Sequence, residues 1–309
     1  EYGYRNKIEF SWWWDTDLNQ LDLAFFRRST KGKIPVTKTS LAPTAINQKA
    51  INIRNILRNR GTSGRDLKTL LIRCSRHGQT AAQLYVKTED FPKFSEDEFK
   101  KSELDSLEII YSNPKSPASI ITKRLQKWGI EALQDEILNT RFNYATEGFF
   151  QINLPVYEQA LLDMKSWINH DINVVDLYSG VGSIGLTIGG NNVTLVEINE
   201  NAVREMQKNI KILGKNAKAI LAPSEKALEH ISKDSLIIVD PPRAGLHKDV
   251  IDKLISEKPK RIIYLSCNPV TQARDIAKLS EKYGIKAHRG YNFFPKTPHI
   301  EHLAILDLY

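Results

Sequence analysis

Apolar and polar positions alternate differently in the two halves of this chain. In the first half, Lys7–Trp14 is an apolar and aromatic run, and Leu21–Arg27 is placed to pair with it as a hairpin. Ala45–Arg58 carries Ile46, Ile51, Ile53, Ile56 and Leu57 at mostly helical spacing and ends before Gly61 and Gly64. Leu67–Arg73 and Thr80–Val86 read as a second strand pair around His77-Gly78. Glu89–Glu108 is acidic and poorly periodic, so it reads as loop with some helix. Ser112-Asn113-Pro114 and Ser116-Pro117 mark turns.

From about Gly148 strands and helices alternate. A helix is predicted from Pro155 to Ile168, then strand Asn173–Leu177, a glycine turn and a short helix. Strand Val193–Ile198 leads into helix Asn201–Leu213, and strand Ala217–Leu221 into a short helix and the apolar run Leu236–Val239. Helix His247–Ile255, strand Arg261–Leu265, helix Val270–Lys282 and strands Ile285–Tyr291 and Glu301–Leu308 follow. Such alternation predicts an α/β fold with a parallel, doubly wound sheet, whose ligands sit beyond the carboxyl ends of the strands. No internal repeat or low-complexity tract is visible.

Composition narrows the class. A chain of 309 residues with 41% hydrophobic and 26% charged residues suits one large or two ordinary domains and is not disordered. No apolar run is long enough to span a bilayer, and no basic and apolar leader opens the chain, so neither a membrane protein nor a secreted one is expected. The two cysteines, Cys74 and Cys267, cannot make a disulfide framework, and a reduced, cytoplasmic setting is expected. The chain opens on Glu1 rather than Met, which leaves room for an upstream segment. Of the net charge of +8, residues 1–146 hold +7, with 24 basic residues against 17 acidic. Arg27–Arg76 alone has 13 basic residues and one acid, Asp66. A field of that sign recruits phosphate backbones, so nucleic acid is the favoured partner.

The chemistry-bearing motifs fall at predicted strand ends. Asp176-Leu-Tyr-Ser-Gly180-Val-Gly182-Ser-Ile-Gly185 contains G-x-G-x-x-G, which suits a dinucleotide or S-adenosyl-L-methionine. Glu197 ends the next strand, placed to accept from two ribose hydroxyls. Asp176 would repel a pyrophosphate but can meet an ammonium group, and Asp240-Pro-Pro-Arg243 closes the fourth strand, so the methyl donor is favoured. Cys74 reads as a small buried hydrophobe. Cys267 sits between a strand and a helix whose dipole is expected to lower its pKa, which makes it a candidate nucleophile.

Taken together, these residues resemble the RNA uracil-C5 methyltransferases, which make 5-methyluridine in tRNA and rRNA. The resemblance runs from Tyr4-Arg-Asn-Lys7 through Phe149-Phe-Gln151-Ile-Asn153, Asp176–Gly182, Glu197, Asp240–Leu246 and Ser266-Cys-Asn-Pro269 to Pro298-His-Ile-Glu-His302. It implies a Rossmann-like methyltransferase domain over 148–309 and a basic α+β RNA-binding domain over 1–147. It also implies that Gln151, Tyr178, Gly180, Glu197 and Asp240 line the donor site, with Ser183 and Ser224 as further contacts. Cys267 is the implied nucleophile, Glu301 the base that takes the C5 proton, and Asp240 the residue that orients the base. Arg243 could hold phosphate or stabilise an enolate oxygen. The implied donor is S-adenosyl-L-methionine and the implied partner tRNA or rRNA, with no DNA, membrane or metal; a monomer is expected. Many members also carry an N-terminal RNA-binding barrel and a four-cysteine iron–sulfur cluster. Neither is read here, and Cys74 and Cys267 cannot form that cluster without ligands from upstream. A cytosine-C5 enzyme would have a second cysteine where Pro242 stands, and an adenine-N6 enzyme would need neither Cys267 nor Glu301. A non-catalytic RNA-binding protein on the same fold is the remaining alternative. Trp12–Trp14 are expected in the core rather than stacked on RNA bases.

Overall fold

The computed structural model describes residues 2–30, 32–117, 119–168 and 172–309. Lys31, one of the basic residues counted above, lies outside them. The chain divides into two compact units, Glu1–Asp135 with Ala145–Glu147, and Glu136–Tyr144 with Gly148–Tyr309.

The first unit is built on β1 (Lys7–Asp15), β2 (Gln20–Phe26), β3 (Lys33–Pro35), α1 (Thr44–Asn59), β4 (Leu67–Cys74), β5 (Thr80–Val86), α2 (Glu96–Ser102), β6 (Ser106–Tyr111) and β7 (Lys123–Gly129). These strands form one sheet in the order β3-β2-β1-β4-β5-β6-β7. The spacing of Ile46, Ala50, Ile53 and Leu57 gives α1 one apolar stripe, which packs with Phe10, Trp12, Leu23, Leu70 and Leu84 from the sheet. Of the three tryptophans only Trp12 is in that core; Trp13 and Trp14 are 37% and 39% exposed. The alternation of a strand whose one face is open explains Trp13. The acidic stretch read as loop with some helix holds α2, started by a reciprocal Ser95–Glu98 capping box, and the first half of β6.

A hairpin of β8 (Leu133–Ile137) and β9 (Thr140–Tyr144) turns through Leu138 and Asn139, both at positive φ. The second unit then runs α3 (Leu154–Lys165), β10 (Asn173–Leu177), α4 (Gly185–Ile188), β11 (Val193–Glu197), α5 (Glu200–Leu213), β12 (Ala217–Leu221), two short 3₁₀ turns, β13 (Ser235–Val239), α6 (Lys248–Glu257), β14 (Arg261–Ser266), α7 (Pro269–Leu279), β15 (Tyr283–Tyr291) and β16 (Glu301–Leu308). The sheet order is β12-β11-β10-β13-β14-β16-β15. Five strands are parallel, as the alternation predicts, but β16 runs antiparallel between β14 and β15. The sheet is therefore mixed rather than wholly parallel. No helix joins β15 to β16, so the chain returns directly beside β14, and a direct return can only be antiparallel. Among the described residues no helix is long and apolar enough to cross a membrane.

Candidate active site

The strand order reverses between β10 and β13, which opens a crevice beyond their carboxyl ends. At the end of β10 the chain turns sharply through Tyr178, a bulky residue held at φ +63. Such a conformation persists only where its surroundings enforce it. Here Ser179 supplies the enforcement, donating from both its backbone N–H and its hydroxyl to the Val196 carbonyl at 3.0 and 3.1 Å. Gly180 follows at φ +56, and a side chain there would meet nothing within 4 Å, so its open face looks outward. Its N–H donates to Glu197 Oε2 at 2.9 Å, while Asn199 N–H donates to Oε1 at 2.7 Å. Glu197 is thereby fixed, with acceptor capacity on both oxygens to spare.

Asp176 is fully buried beneath this turn. Its Oδ2 accepts the Gly185 N–H at 2.9 Å, and its Oδ1 has no partner among the described residues. Burial pushes its carboxyl up to about 8. Gly185 must be glycine, because a Cβ would lie 2.5 Å from the Leu195 side chain. Gln151 is buried ahead of α3, and two residues on Asn153 donates to the Phe293 carbonyl at 3.0 Å, fastening this segment to the loop before β16. Ser183 Oγ lies 2.8 Å from the hydroxyl of Tyr157, and Ser224 is buried. Burial also raises the Tyr178 phenol, whose oxygen faces the His247 N–H. Sequence reasoning assigns no site role to Asn153 or Tyr157; the signal for Asn153 is its place in the Phe149–Asn153 motif, and for Tyr157 its place at the start of α3.

The second group of residues gathers at the neighbouring strand ends. Asp240 follows β13, Cys267 follows β14, and Glu301 begins β16. Because β16 is antiparallel, its first residues lie beside the last of β14, with Ser266 opposite His302. Cys267, Asp240, Arg243 and Glu301 are close enough to feel one another's charge. The Glu301 carboxyl, 5% exposed, is pushed up to about 8 by burial and by Asp240, with Arg243 opposing. Burial holds Asp240 at about 7. The Cys267 thiol is also pushed up, first by burial and then by Glu301 and Asp240, while Arg243 pulls it down. The expected lowering by the α7 dipole is therefore outweighed: two carboxylates and desolvation exceed one helix end and one arginine.

The Glu301 carboxyl makes no hydrogen bond or ion pair among the described residues. The nearby histidines are otherwise engaged: His299 Nδ1 lies 3.5 Å from Arg243 Nη2, and His302 bonds Gln272 at 2.6 Å and His288 at 3.3 Å. An unpaired, buried carboxyl of raised pKa beside a thiol is the usual make-up of an acid–base centre. Cys74, by contrast, is buried in the core of the first unit. Among the described residues no cluster of three or more metal-ligating side chains occurs.

The chain is similar to known proteins along nearly its whole length. The profile of the family described as tRNA (Uracil-5-)-methyltransferase matches residues 225–308. An RNA methyltransferase of Lactobacillus johnsonii is 31% identical over 99% of this chain and 72% of its own length. One of Aquifex aeolicus is 26% identical over 100% and 71%. The crystal structure of Pyrococcus abyssi tRNA (uracil-54, C5)-methyltransferase in complex with S-adenosyl-L-homocysteine superposes with a TM-score of 0.85 at 24% identity, covering 99% of this chain and 76% of that one. With 31% identity to such an enzyme over 99% of its length, the chain belongs to the RNA methyltransferases, and its residues 225–308 match the tRNA (Uracil-5-)-methyltransferase family.

Proposed function

We propose that this chain methylates C5 of a uridine in structured RNA through a covalent adduct between Cys267 and C6. The observation that carries the reading is the meeting of Cys267, Asp240, Arg243 and Glu301 at one sheet edge, next to the glycine turn. Uracil C5 is too weak a nucleophile to take a methyl group unaided. Addition of the Cys267 thiolate to C6 moves the C5=C6 electrons toward O4, and the resulting enolate makes C5 nucleophilic. Arg243, the cation facing the thiol, favours the thiolate and is suited to the enolate oxygen. After methyl transfer Glu301 accepts the C5 proton, the C5=C6 bond re-forms and the thiolate leaves. A base needs a pKa near working pH, and Glu301 at about 8 meets that requirement. Asp240 lies where it can hold the uracil edge.

S-adenosyl-L-methionine is the fitting donor, supplying an electrophilic sulfonium methyl. Glu197 has spare acceptor capacity for the ribose hydroxyls, and the open face of Gly180 admits close approach. The buried Asp176 Oδ1 without a partner suits a cationic ligand. Tyr178 stands in the same turn with Ser224 beside its phenol, and Gln151 and Ser183 are assigned to the donor by the family resemblance.

RNA affinity follows from the cations left uncompensated. Within the basic window, Arg54 and Arg58 pair with Asp22, Lys49 with Glu103 and Arg60 with Glu98, all acids from outside it. Arg27, Arg28, Lys33, Lys38 and Arg65 form no ion pair among the described residues. Phe26, 55% exposed, lies beside them with the Lys33 ammonium 5.2 Å from its ring. A basic strip with an exposed aromatic is suited to unpaired nucleotides.

The test is the Glu301→Gln variant incubated with labelled donor and bulk RNA. It should form the adduct and accept the methyl group but fail to release it. A denaturant-resistant protein–RNA band carrying label is then expected, and none in Cys267→Ser. Turnover of folded Glu301→Gln at the normal rate would remove Glu301 from the chemistry.

A further inference from the structure

The inner stripe of α7 is polar where an amphipathic helix packed on a sheet is ordinarily apolar. Asn268 caps the helix, and Thr271, Gln272 and Asp275 follow at the helical i+3, i+4 and i+7 positions. Gln272 and Asp275 are buried. A buried polar stripe is costly unless every group finds a partner, and here, apart from Arg274 of α7 itself, the partners belong to the segments carrying the reaction centre.

One set of bonds holds the loop that follows β13. The Arg243 carbonyl accepts from Asn268 Nδ2 at 2.9 Å and from Thr271 Oγ1 at 3.1 Å. The Ala244 carbonyl accepts from Arg274 Nη2 at 2.8 Å. Asp275 Oδ2 accepts the Leu246 N–H and the Tyr264 hydroxyl, both at 2.8 Å, while its Oδ1 takes Arg274 at 2.7 Å. Between them Gly245, at φ +81, presses so closely that a Cβ would fall 2.5 Å from Asp275 Oδ2. The loop between Asp240 and Leu246 is therefore clamped along its backbone.

A second set holds β16. Gln272 Nε2 donates to the Tyr264 carbonyl at 2.9 Å and to the His302 carbonyl at 3.1 Å, and Gln272 Oε1 lies 2.6 Å from His302 Nδ1. His302 is the residue after Glu301. One side chain thus bridges β14 to β16 at the point where the carboxyl enters the site.

We propose that the polar stripe of α7, Thr271, Gln272 and Asp275, is the positioning device that sets Arg243 and Glu301 on Cys267 with opposing charges. None of the three touches the reacting atoms. Each acts through a backbone: Thr271 and Asp275 through the loop that carries Arg243, and Gln272 through the residue beside Glu301. The same helix begins two residues after Cys267, so a single rigid element references all three groups. Arg243 lowers the thiol pKa, whereas Glu301 and Asp240 raise it; Asp240 directly follows β13, and the α7 bonds fall on residues 243–246, so Arg243 is the charge that the loop clamp governs. Loosening one side or the other must then move the thiol in opposite directions.

The inference rests on reading Cys267, Arg243 and Glu301 as one centre, but its test uses the thiol alone and needs no RNA. Failure of RNA methylation and failure of the positioning device are therefore separate results. The full chain is alkylated with iodoacetamide across a pH series, and modification of Cys267 is followed on its own peptide, apart from buried Cys74. Asp275→Asn should raise the apparent thiol pKa, and Thr271→Val, a milder change of the same shape, should raise it too, by roughly half a unit or more. Thr271→Ser, which keeps the hydroxyl, should leave it at the wild-type value. Gln272→Met should lower it. Folded Thr271→Val and Gln272→Met proteins with the wild-type thiol pKa would overturn the proposal, as would shifts of both in the same direction, since a merely structural role predicts lost thermal stability without opposed shifts.

Discussion

Holding a carboxyl in readiness as a base costs the fold stability, and at Glu301 the cost has a definite pH window. Its pKa rises from 4.5 to about 8 in the folded protein, because it is buried and faces Asp240. In the unfolded chain it ionises near its ordinary value. The folded state therefore binds the extra proton between those two values, and stability falls as pH rises through that range. Below the unfolded pKa the contribution is fully present; above about 8 it is lost and the curve flattens. At about 1.4 kcal/mol for each pH unit, the loss between about pH 5 and about pH 9 is at most about 4 kcal/mol. Glu301→Gln keeps the shape and removes the titration. Asp176 and Asp240 titrate in both proteins, so most of their effect cancels in the difference. Urea unfolding of the two proteins over this pH series measures it directly. Near pH 5 the midpoints should nearly coincide. Toward pH 9 the wild type should weaken by several kcal/mol more than the variant, at equal m-value. Parallel curves would mean that Glu301 titrates normally in the fold, and the physical case for it as a tuned base would fail.

Three further outcomes are expected. Glu197→Ala should weaken donor or S-adenosyl-L-homocysteine binding by about 1.5–3 kcal/mol, the worth of hydrogen bonds to a charged acceptor, and unchanged calorimetric affinity would refute the assignment. Replacing Arg27, Arg28 and Lys33 together by Gln should flatten the salt dependence of RNA binding by about 0.7 in log–log slope for each phosphate no longer neutralised, with donor affinity untouched; an unaltered slope would move the RNA surface elsewhere. Asn209, fully buried on α5, accepts the Asn143 N–H at 2.8 Å and donates to the Asn143 carbonyl at 3.0 Å, tying β9 to the helix. Asn209→Ala strands both backbone groups and should cost about 2–4 kcal/mol in urea unfolding, whereas a loss under about 1 kcal/mol would show that water replaces the clamp.

The parts of this fold that can be read from residues alone are those where burial imposes one pattern. Strands β10, β12 and β16 have the boundaries their apolar runs predict. Strand β6 is hidden by Glu108, a buried acid in mid-strand whose partners Arg124 and Lys127 lie on the next strand. Strands β3 and β7 are sheet edges and mostly exposed, so alternation is weak in both. Charge counting over Arg27–Arg76 finds the excess but not the surface, since Asp22, Glu98 and Glu103 neutralise members of the window from a distance. At the site, the motifs locate Cys267, Asp240 and Glu301 at strand ends, but hydrophobic periodicity has no direction. That Glu301 comes to lie near Cys267, and that burial with two carboxyl groups pushes the thiol up, are facts of three-dimensional arrangement.

That missing direction is what makes the chemistry possible. In a wholly parallel sheet every strand delivers its last residue to the ligand edge and its first to the far one. The proposed donor site works within that rule, because Tyr178, Glu197 and Asp240 all follow or end parallel strands. A nucleophile on β14 works within it too. A base that must reach the same ring as Cys267 needs another chain segment at the same edge. Were β16 parallel, Glu301 would enter near Arg261, about 20 Å away along a strand of six residues. Running antiparallel, β16 instead enters opposite Ser266, next to the cysteine. The reaction centre therefore lies at the seam where the parallel part of the sheet meets its antiparallel edge. Gln272 fastens that seam from below, bonding Tyr264 on one strand and His302 on the other.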